Sequence, residues 1–338
     1  MPKSEDRRAR VDDVARLAEV SVATVSRVLS GKDPARFSKE TEQRVREAVR
    51  MLNYRPSELG RSLRTAHARA AALLVPDTTN GFCADVASSL EPVLHANGIS
   101  MLLCNTAENA ERQDEYLTQT VNRGVSAVVL LGAVESPELL RLSRTSARLV
   151  FVNRRPPAPI VGDFIGINNF AAGRDVATHF IAQGYRDCAV IHGPLRYAAS
   201  AERLAGFRDR MREEGIEVPA ARRIESALTP DAGYLATQDL LRPFDKPRAI
   251  FCGNDSIAYG VHAAALEAGL DVPDELAIFG FDDNRLNRWL APWLSTVHVP
   301  VHDFGPVIAD ILSEAESAAE REFRTILLPH RLVLRQSA

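Results

Sequence analysis

The sequence predicts an α/β protein in three parts: a headpiece of three short helices with a helix-turn-helix over residues 8–54, a hinge helix and linker over 55–68, and a body over 69–338 made of two doubly wound parallel sheets. Three observations carry that expectation. Residues 11–31 hold two short amphipathic stretches around a tight turn. Tyr54-Arg55-Pro56 then interrupts the helical pattern, because the residue before a proline avoids the α region. From Ala70 onward, short apolar runs alternate with amphipathic helical stretches, as strands buried on both faces alternate with their crossover helices.

In the first helix Asp12 or Asp13 can accept from the N–H groups that open it, and Val14, Leu17 and Ala18 share one face. Ser21 stands where a second helix needs its N-cap, Val25, Val28 and Leu29 repeat the spacing, and Gly31 can end it in a left-handed conformation. The opposite face presents Val22, Ala23 and Arg27, with the hydroxyls of Ser21, Thr24 and Ser26 nearby. Such a face suits a major groove: small apolar side chains touch thymine methyls, and an Arg fork meets guanine O6 and N7. Ser38 caps a third helix running to about Leu52, with Val45, Ala48, Val49 and Leu52 inward.

These stretches resemble a known family. Asp-Val-Ala-Arg-Leu-Ala, Val-Ser-Val-Ala-Thr-Val-Ser-Arg-Val-Leu and Thr-Glu-Gln-Arg-Val-Arg-Glu-Ala-Val-Arg-Met-Leu-Asn-Tyr-Arg-Pro are similar to the DNA-binding headpiece of the LacI/GalR (lactose/galactose repressor) family. Glu19 departs from it, standing at a turn position where the family usually has Gly, which takes positive φ freely. The resemblance implies that Ser21, Val22, Ala23, Thr24, Ser26, Arg27 and Tyr54 face DNA. It also implies a hinge helix around 58–64 that pairs with its dimer mate and wedges Leu63 into the minor groove at the centre of a palindromic operator. The chain is then a homodimer. No heptad extension follows Leu-Val-Leu-Arg-Gln-Ser-Ala, so a dimer is expected rather than a tetramer.

Composition agrees with a DNA-facing end. With 46% hydrophobic and 25% charged residues the chain is globular, and its net charge of −3 divides unevenly. Residues 1–65 carry 15 basic against 10 acidic side chains, a net of +5, which leaves −8 on the rest. The positive end suits phosphate. No run approaches the ~20 apolar residues of a membrane span, and Met1–Arg10 lacks the apolar stretch of a signal peptide, so a cytoplasmic location without membrane contact is expected. Cys83, Cys104, Cys188 and Cys252 are scattered, without a Cys-x-x-Cys pair, and read as free thiols.

The body's strands fall at 71–75, 101–104, 127–131, 149–152, 164–167, 188–191, 249–252 and 277–281, with later helices near 171–183, 201–214 and 256–268. So many strands fit two lobes with a cleft between them, and ligands in such sheets bind beyond the carboxyl ends of the strands. Those ends are rich in Asn, Asp and Arg, groups that bind hydroxyls and carboxylates. Ser-Ala-Glu-Arg-Leu-Ala-Gly-Phe (200–207), Cys-Gly-Asn-Asp-Ser-Ile-Ala-Tyr-Gly (252–260) and Phe-Gly-Phe-Asp-Asp (279–283) resemble effector-domain signatures of the same family, with its periplasmic-binding-protein-like fold. By that resemblance Arg203, Asn254 and Asp282 hold a small-molecule effector, and Phe82 and Asn153 line its pocket. Asp255 and Ser256 are expected to cap the helix after Asn254, and Asn168 or Asn169 the helix from Phe170; Arg203 alternatively pairs with Glu202 or Glu214.

Catalytic patterns are missing: no Gly-x-x-x-x-Gly-Lys-Ser/Thr, no Gly-x-Ser-x-Gly and no Gly-x-Gly-x-x-Gly after the first body strand. His298 and His302, in an extended stretch, would stand too far apart to share a metal. The sequence therefore predicts no catalytic residue, no metal and no cofactor. It predicts a DNA-binding transcriptional regulator, a repressor of a catabolic operon released by a sugar or sugar acid. A purine-responsive regulator and a solute-binding protein of the same bilobed fold are the alternatives. Leu228 and Cys83 stand near positions where family members often place aromatic residues, which leaves the effector open, and the sugar is preferred because Arg203 with Asn254 and Asp282 suits a polyhydroxylated ligand better than a flat purine that needs aromatic stacking.

Overall fold

The computed structural model describes residues 9–30, 37–54, 70–145, 147–242, 246–313 and 322–338, and the chain divides into two compact units between residues 67 and 68. Gly31 and the hinge, with Leu63, lie outside the described residues.

The first unit contains helices Val11–Leu17, Val22–Ser30 and Lys39–Met51. Ser21 Oγ accepts from the Thr24 N–H at 3.1 Å and Ser38 Oγ from the Thr41 N–H at 3.2 Å, so both expected serine caps form. The first helix starts differently. Its N-cap is Arg10, whose N–H donates to Asp13 Oδ2 at 2.9 Å, so Asp13 reaches back rather than capping directly. Val14, Ala15, Ala18, Val25, Val28, Val45 and Ala48 form the core. Leu17, expected inside, is 49% exposed, and Ala15 is buried with Val14 and Ala18 instead, so the inward face of the helix runs along i, i+1 and i+4.

The second unit has two lobes. The first lobe is a six-stranded parallel sheet, in spatial order β11 (Thr325–Leu328), β5 (Asp163–Ile167), β4 (Arg148–Val152), β3 (Ala127–Leu131), β1 (Ala70–Val75) and β2 (Ser100–Asn105). The second is a four-stranded parallel sheet, in order β7 (Arg223–Glu225), β6 (Cys188–His192), β8 (Ala249–Cys252) and β9 (Ala277–Phe279). β10 (Thr296–His298) pairs antiparallel with β12 (Arg331–Val333) beside the second sheet. The chain crosses between lobes three times: after β5, after β10 and after β11.

β3 (Ala-Val-Val-Leu-Leu) and β5 (Asp-Phe-Ile-Gly-Ile) are buried at every position, whereas β2 is an edge strand with Leu103 exposed, contrary to the expectation of burial on both faces. One apolar cluster runs through both lobes, joining Leu73, Val129, Val150 and Ile165 to Phe207, Phe251, Phe279 and Phe304. Helix Asn169–Ala182 crosses helix Ala198–Glu213 closely enough that a Cβ on Gly173 would stand 2.2 Å from the Arg203 carbonyl oxygen. Of the four free thiols, Cys83, Cys188 and Cys252 are buried. No helix among the described residues is long and apolar enough to cross a membrane.

Candidate functional site

In the headpiece, the exposed face of helix Val22–Ser30 carries Val22, 39% exposed, with Ala23 and Arg27, next to exposed Ser21. Thr24 and Ser26 are half-buried, and the Thr24 hydroxyl is shared with Ser21 Oγ at 2.9 Å. Tyr54 rests against the headpiece core. The turn before this helix has Glu19 at φ 55°, so the position does demand a left-handed residue, and Glu19 lies 3.8 Å from Arg44 of the third helix.

In the body, all five residues expected in the pocket line one cavity of about 60 Å³ at the carboxyl ends of the strands: Phe82, Asn153, Arg203, Asn254 and Asp282. Each arrives from a different element. Phe82 opens helix Gly81–Ala96, which Asn80 caps by accepting from the Phe82 N–H at 3.0 Å. Asn153 ends β4 at φ 63°, its N–H donating to the Ile165 carbonyl at 2.8 Å. Its Oδ1 is buried and has no partner among the described residues, an unmet acceptor at the cavity wall.

Arg203 is buried. Its Nε donates to Asn169 Oδ1 at 2.8 Å and its Nη1 to the Gly253 carbonyl at 2.8 Å, with the guanidinium over the Phe281 ring. Nη2 takes part in neither bond. The alternative pairing of Arg203 with Glu202 or Glu214 does not form: Glu214 takes Arg210 at 2.7 Å and Glu202 lies 3.7 Å from Arg155. Burial lowers the Arg203 pKa to about 10, which leaves it charged at neutral pH.

Asp282 stands at φ 106°, a conformation that L residues rarely adopt and that costs on the order of 1–3 kcal/mol unless its surroundings impose it. Burial pushes its carboxyl up to about 8, against the pull of Arg203 and with further upward pressure from Asp255 and Asp85.

Asn254, not Asp255 or Ser256, caps helix Asp255–Glu267, its Oδ1 accepting from the Ile257 N–H at 2.9 Å. Asp255 is instead buried and holds the loop behind Asp282. One oxygen accepts from Thr296 Oγ1 at 2.6 Å, the other from the Asn284 N–H at 2.8 Å and Asn287 Nδ2 at 2.7 Å. Its own N–H donates to the Phe281 carbonyl at 2.7 Å. The cavity also has walls that the motifs did not single out as contacts: Arg154, Asn80, Pro76, Leu131 and Gly132. Asn80 was signalled by Asn-Gly just after a strand. His298 and His302 are separated by the end of β10 and the start of helix Val301–Ser313, and His298 Nδ1 lies 3.0 Å from Asp283 Oδ2.

Residues 10–57 match the family of bacterial regulatory proteins, lacI family, and residues 177–338 match a periplasmic binding protein-like domain. The HTH-type transcriptional repressor PurR of Edwardsiella ictaluri (strain 93-146) is 32% identical over 333 residues, covering 97% of this chain and 96% of that protein. PurR of Salmonella paratyphi B has the same identity and coverage. Among solved structures, the lac repressor dimer bound to operator and the anti-inducer ONPF superposes with a TM-score of 0.82 at 22% identity, covering 98% of this chain and 99% of that one. The transcriptional regulator CelR-cellobiose complex gives 0.73 at 24% identity, covering 98% and 100%. The two structures share the fold; the curated relatives carry the family. The chain belongs to the lacI family of bacterial regulatory proteins and is a helix-turn-helix transcriptional repressor, not an enzyme.

Proposed function

We propose that this repressor acts in the cytoplasm as a homodimer that reads a palindromic operator and is released from it by a sugar or sugar acid bound between the lobes of residues 69–338. The headpiece of residues 8–54 supplies Ser21, Val22, Ala23, Thr24, Ser26, Arg27 and Tyr54 to the DNA, and the hinge of 55–68 supplies Leu63. Arg27 reads a base and Leu63 bends the duplex. Phe82, Asn153, Arg203, Asn254 and Asp282 hold the effector. One observation carries this reading: the unmet acceptor Asn153 Oδ1, the buried Arg203 guanidinium and the Asp282 carboxyl stand in the wall of one cavity. That set matches a ligand bearing many hydroxyls or a carboxylate. A purine needs a flat aromatic face, and Phe82 is the one aromatic side chain among the described lining residues.

A thermal-shift screen of sugars, sugar acids and purines against the parent, Arg203→Ala and Asp282→Ala tests the pocket. A sugar or sugar acid should raise the parent's melting temperature and leave both variants unmoved, while both still retard operator DNA. A purine that shifts the parent, or a sugar that shifts all three, rejects the proposed effector site. For the headpiece, Arg27→Ala should cost ~1–3 kcal/mol per half-site and relax preference at one symmetric base pair, measured at one salt concentration. Leu63→Ala should erase discrimination at the central step; an unchanged preference there makes the hinge a passive linker.

A further inference from the structure

We infer that Glu108, Arg154, Arg196 and Tyr197 form a latch that fastens the two lobes at the cleft, with Arg154 as the member that also faces the cavity. Glu108 follows β2 and Arg154 follows β4, both in the first lobe; Arg196 and Tyr197 precede helix Ala198–Glu213 in the second. The carboxylate of Glu108 divides its oxygens between the lobes. Oε1 accepts from Arg154 Nη1 at 2.9 Å, and Oε2 accepts from the Tyr197 hydroxyl and lies 3.6 Å from Arg196. Arg196 Nη2 donates to the Tyr197 oxygen at 2.8 Å, so the phenol both donates and accepts. The guanidinium carbons of Arg154 and Arg196 stand 3.6 and 4.6 Å from the centroid of the Tyr197 ring.

Three features separate this cluster from an ordinary surface pair. It is sheltered at its centre: Tyr197 is buried and the Arg154 side chain is 12% exposed, so the Arg154–Glu108 bond is little screened by solvent, whereas Arg196, 66% exposed, adds little. Another first-lobe to second-lobe pair of comparable length, Arg285 with Asp85 at 2.9 Å, has an arginine 61% exposed and no aromatic ring beneath it among the described residues. Its acceptor is preset, because Ala107 and Glu108 take φ 51° and 55°, two successive left-handed residues that turn the loop after β2. And it touches the cavity, since Arg154 is in the lining. Tyr197 and Glu108 thus act as positioning residues that hold Arg154 in the cleft wall and the lobes against each other, whichever ligand the cleft takes.

The test uses the full-length protein without added ligand, so its outcome is independent of the effector proposal. Spin labels at Asn122→Cys in the first lobe and Asp239→Cys in the second, in a Cys104→Ser background diluted with unlabelled chain, report the distribution of lobe separations. Tyr197→Phe keeps the ring under Arg154 and removes the hydroxyl's bonds to Glu108 and Arg196; Glu108→Gln keeps the shape and removes the charge. Each should broaden the distribution toward longer distances, and the double variant should broaden it by less than the two singles together, because both changes break the Glu108–Tyr197 contact. An unchanged distribution in either single variant, or broadening in the double equal to the two singles together, overturns the latch.

Discussion

The guanidinium carbon of Arg203 lies 3.5 Å from the centroid of the Phe281 ring, so the residue just before Asp282 serves as the floor for the cation that faces Asp282. Stack and two directed hydrogen bonds together demand a planar fork, which lysine lacks. Arg203→Lys should therefore lose the effector response while operator retardation stays as in the parent. Leaving Asn169 Oδ1 and the Gly253 carbonyl without their donors should also cost ~1–3 kcal/mol, seen as a lower urea midpoint at constant slope. A variant that keeps full response would show that charge alone suffices.

Asp282 sets a pH dependence. Its carboxyl is pushed from 3.8 to about 8 in the folded chain, chiefly by burial. Below about pH 4 folded and unfolded chains both hold the proton; between about 4 and 8 only the unfolded chain releases it, so this group lowers stability as pH rises through that window, with no further change above. Asp282→Asn removes the titration. Its melting temperature should exceed the parent's by little near pH 4.5 and by most near pH 8, in scans at matched ionic strength. A difference that stays flat across the window would mean that the folded carboxyl ionises as an ordinary aspartate.

Gly173 links packing to the site. A methyl there would meet the Arg203 carbonyl oxygen at 2.2 Å and the Phe207 nitrogen at 3.0 Å, both backbone atoms that cannot rotate aside. Gly173→Ala should cost ~1–3 kcal/mol by overpacking and also weaken the effector response by shifting the helix that carries Arg203. Calorimetry and operator-release assays on the same preparation check both; a variant with parental stability would contradict the close crossing.

Two described headpiece residues other than glycine take positive φ, Glu19 and Asn53, and of the two Glu19 is the residue type less suited to it, since Asn tolerates the left-handed region. At φ 55° Glu19 lacks the freedom of glycine, and its 3.8 Å contact with Arg44 joins two side chains well exposed to solvent and is worth little. Glu19→Gly should stabilise the headpiece by up to ~1 kcal/mol, the relief of strain exceeding the added freedom of the unfolded chain. Thermal unfolding followed by amide exchange in the headpiece would reveal a loss of protection if that balance were reversed.

Local chemistry made much of this protein legible from sequence. Ser21 and Ser38 announce helices because a side-chain oxygen three residues ahead of an N–H needs no distant partner. Ala127–Leu131 reads as a strand because only one covered on both faces can be apolar at every position. The strand-end rule then places Asn153, Asn254 and Asp282 at one cleft, since parallel strands deliver their carboxyl ends to the same edge. Tertiary structure decided what depends on residues far apart in the chain. Arg223–Glu225, Thr325–Leu328 and Arg331–Val333 carry half-buried patterns too short to declare themselves, and they become strands only through partners already aligned; β11 pairs with Phe164–Ile167 more than 150 residues earlier. Asn254 and Asp255 are adjacent and both able to cap; the approach of Thr296, Asn284 and Asn287 makes one a cap and the other a buried anchor. No local signal marks Glu108 as the acceptor for Arg154 and Tyr197, because a carboxylate's partners across a cleft are chosen by how two lobes meet, not by the residues beside it in the chain.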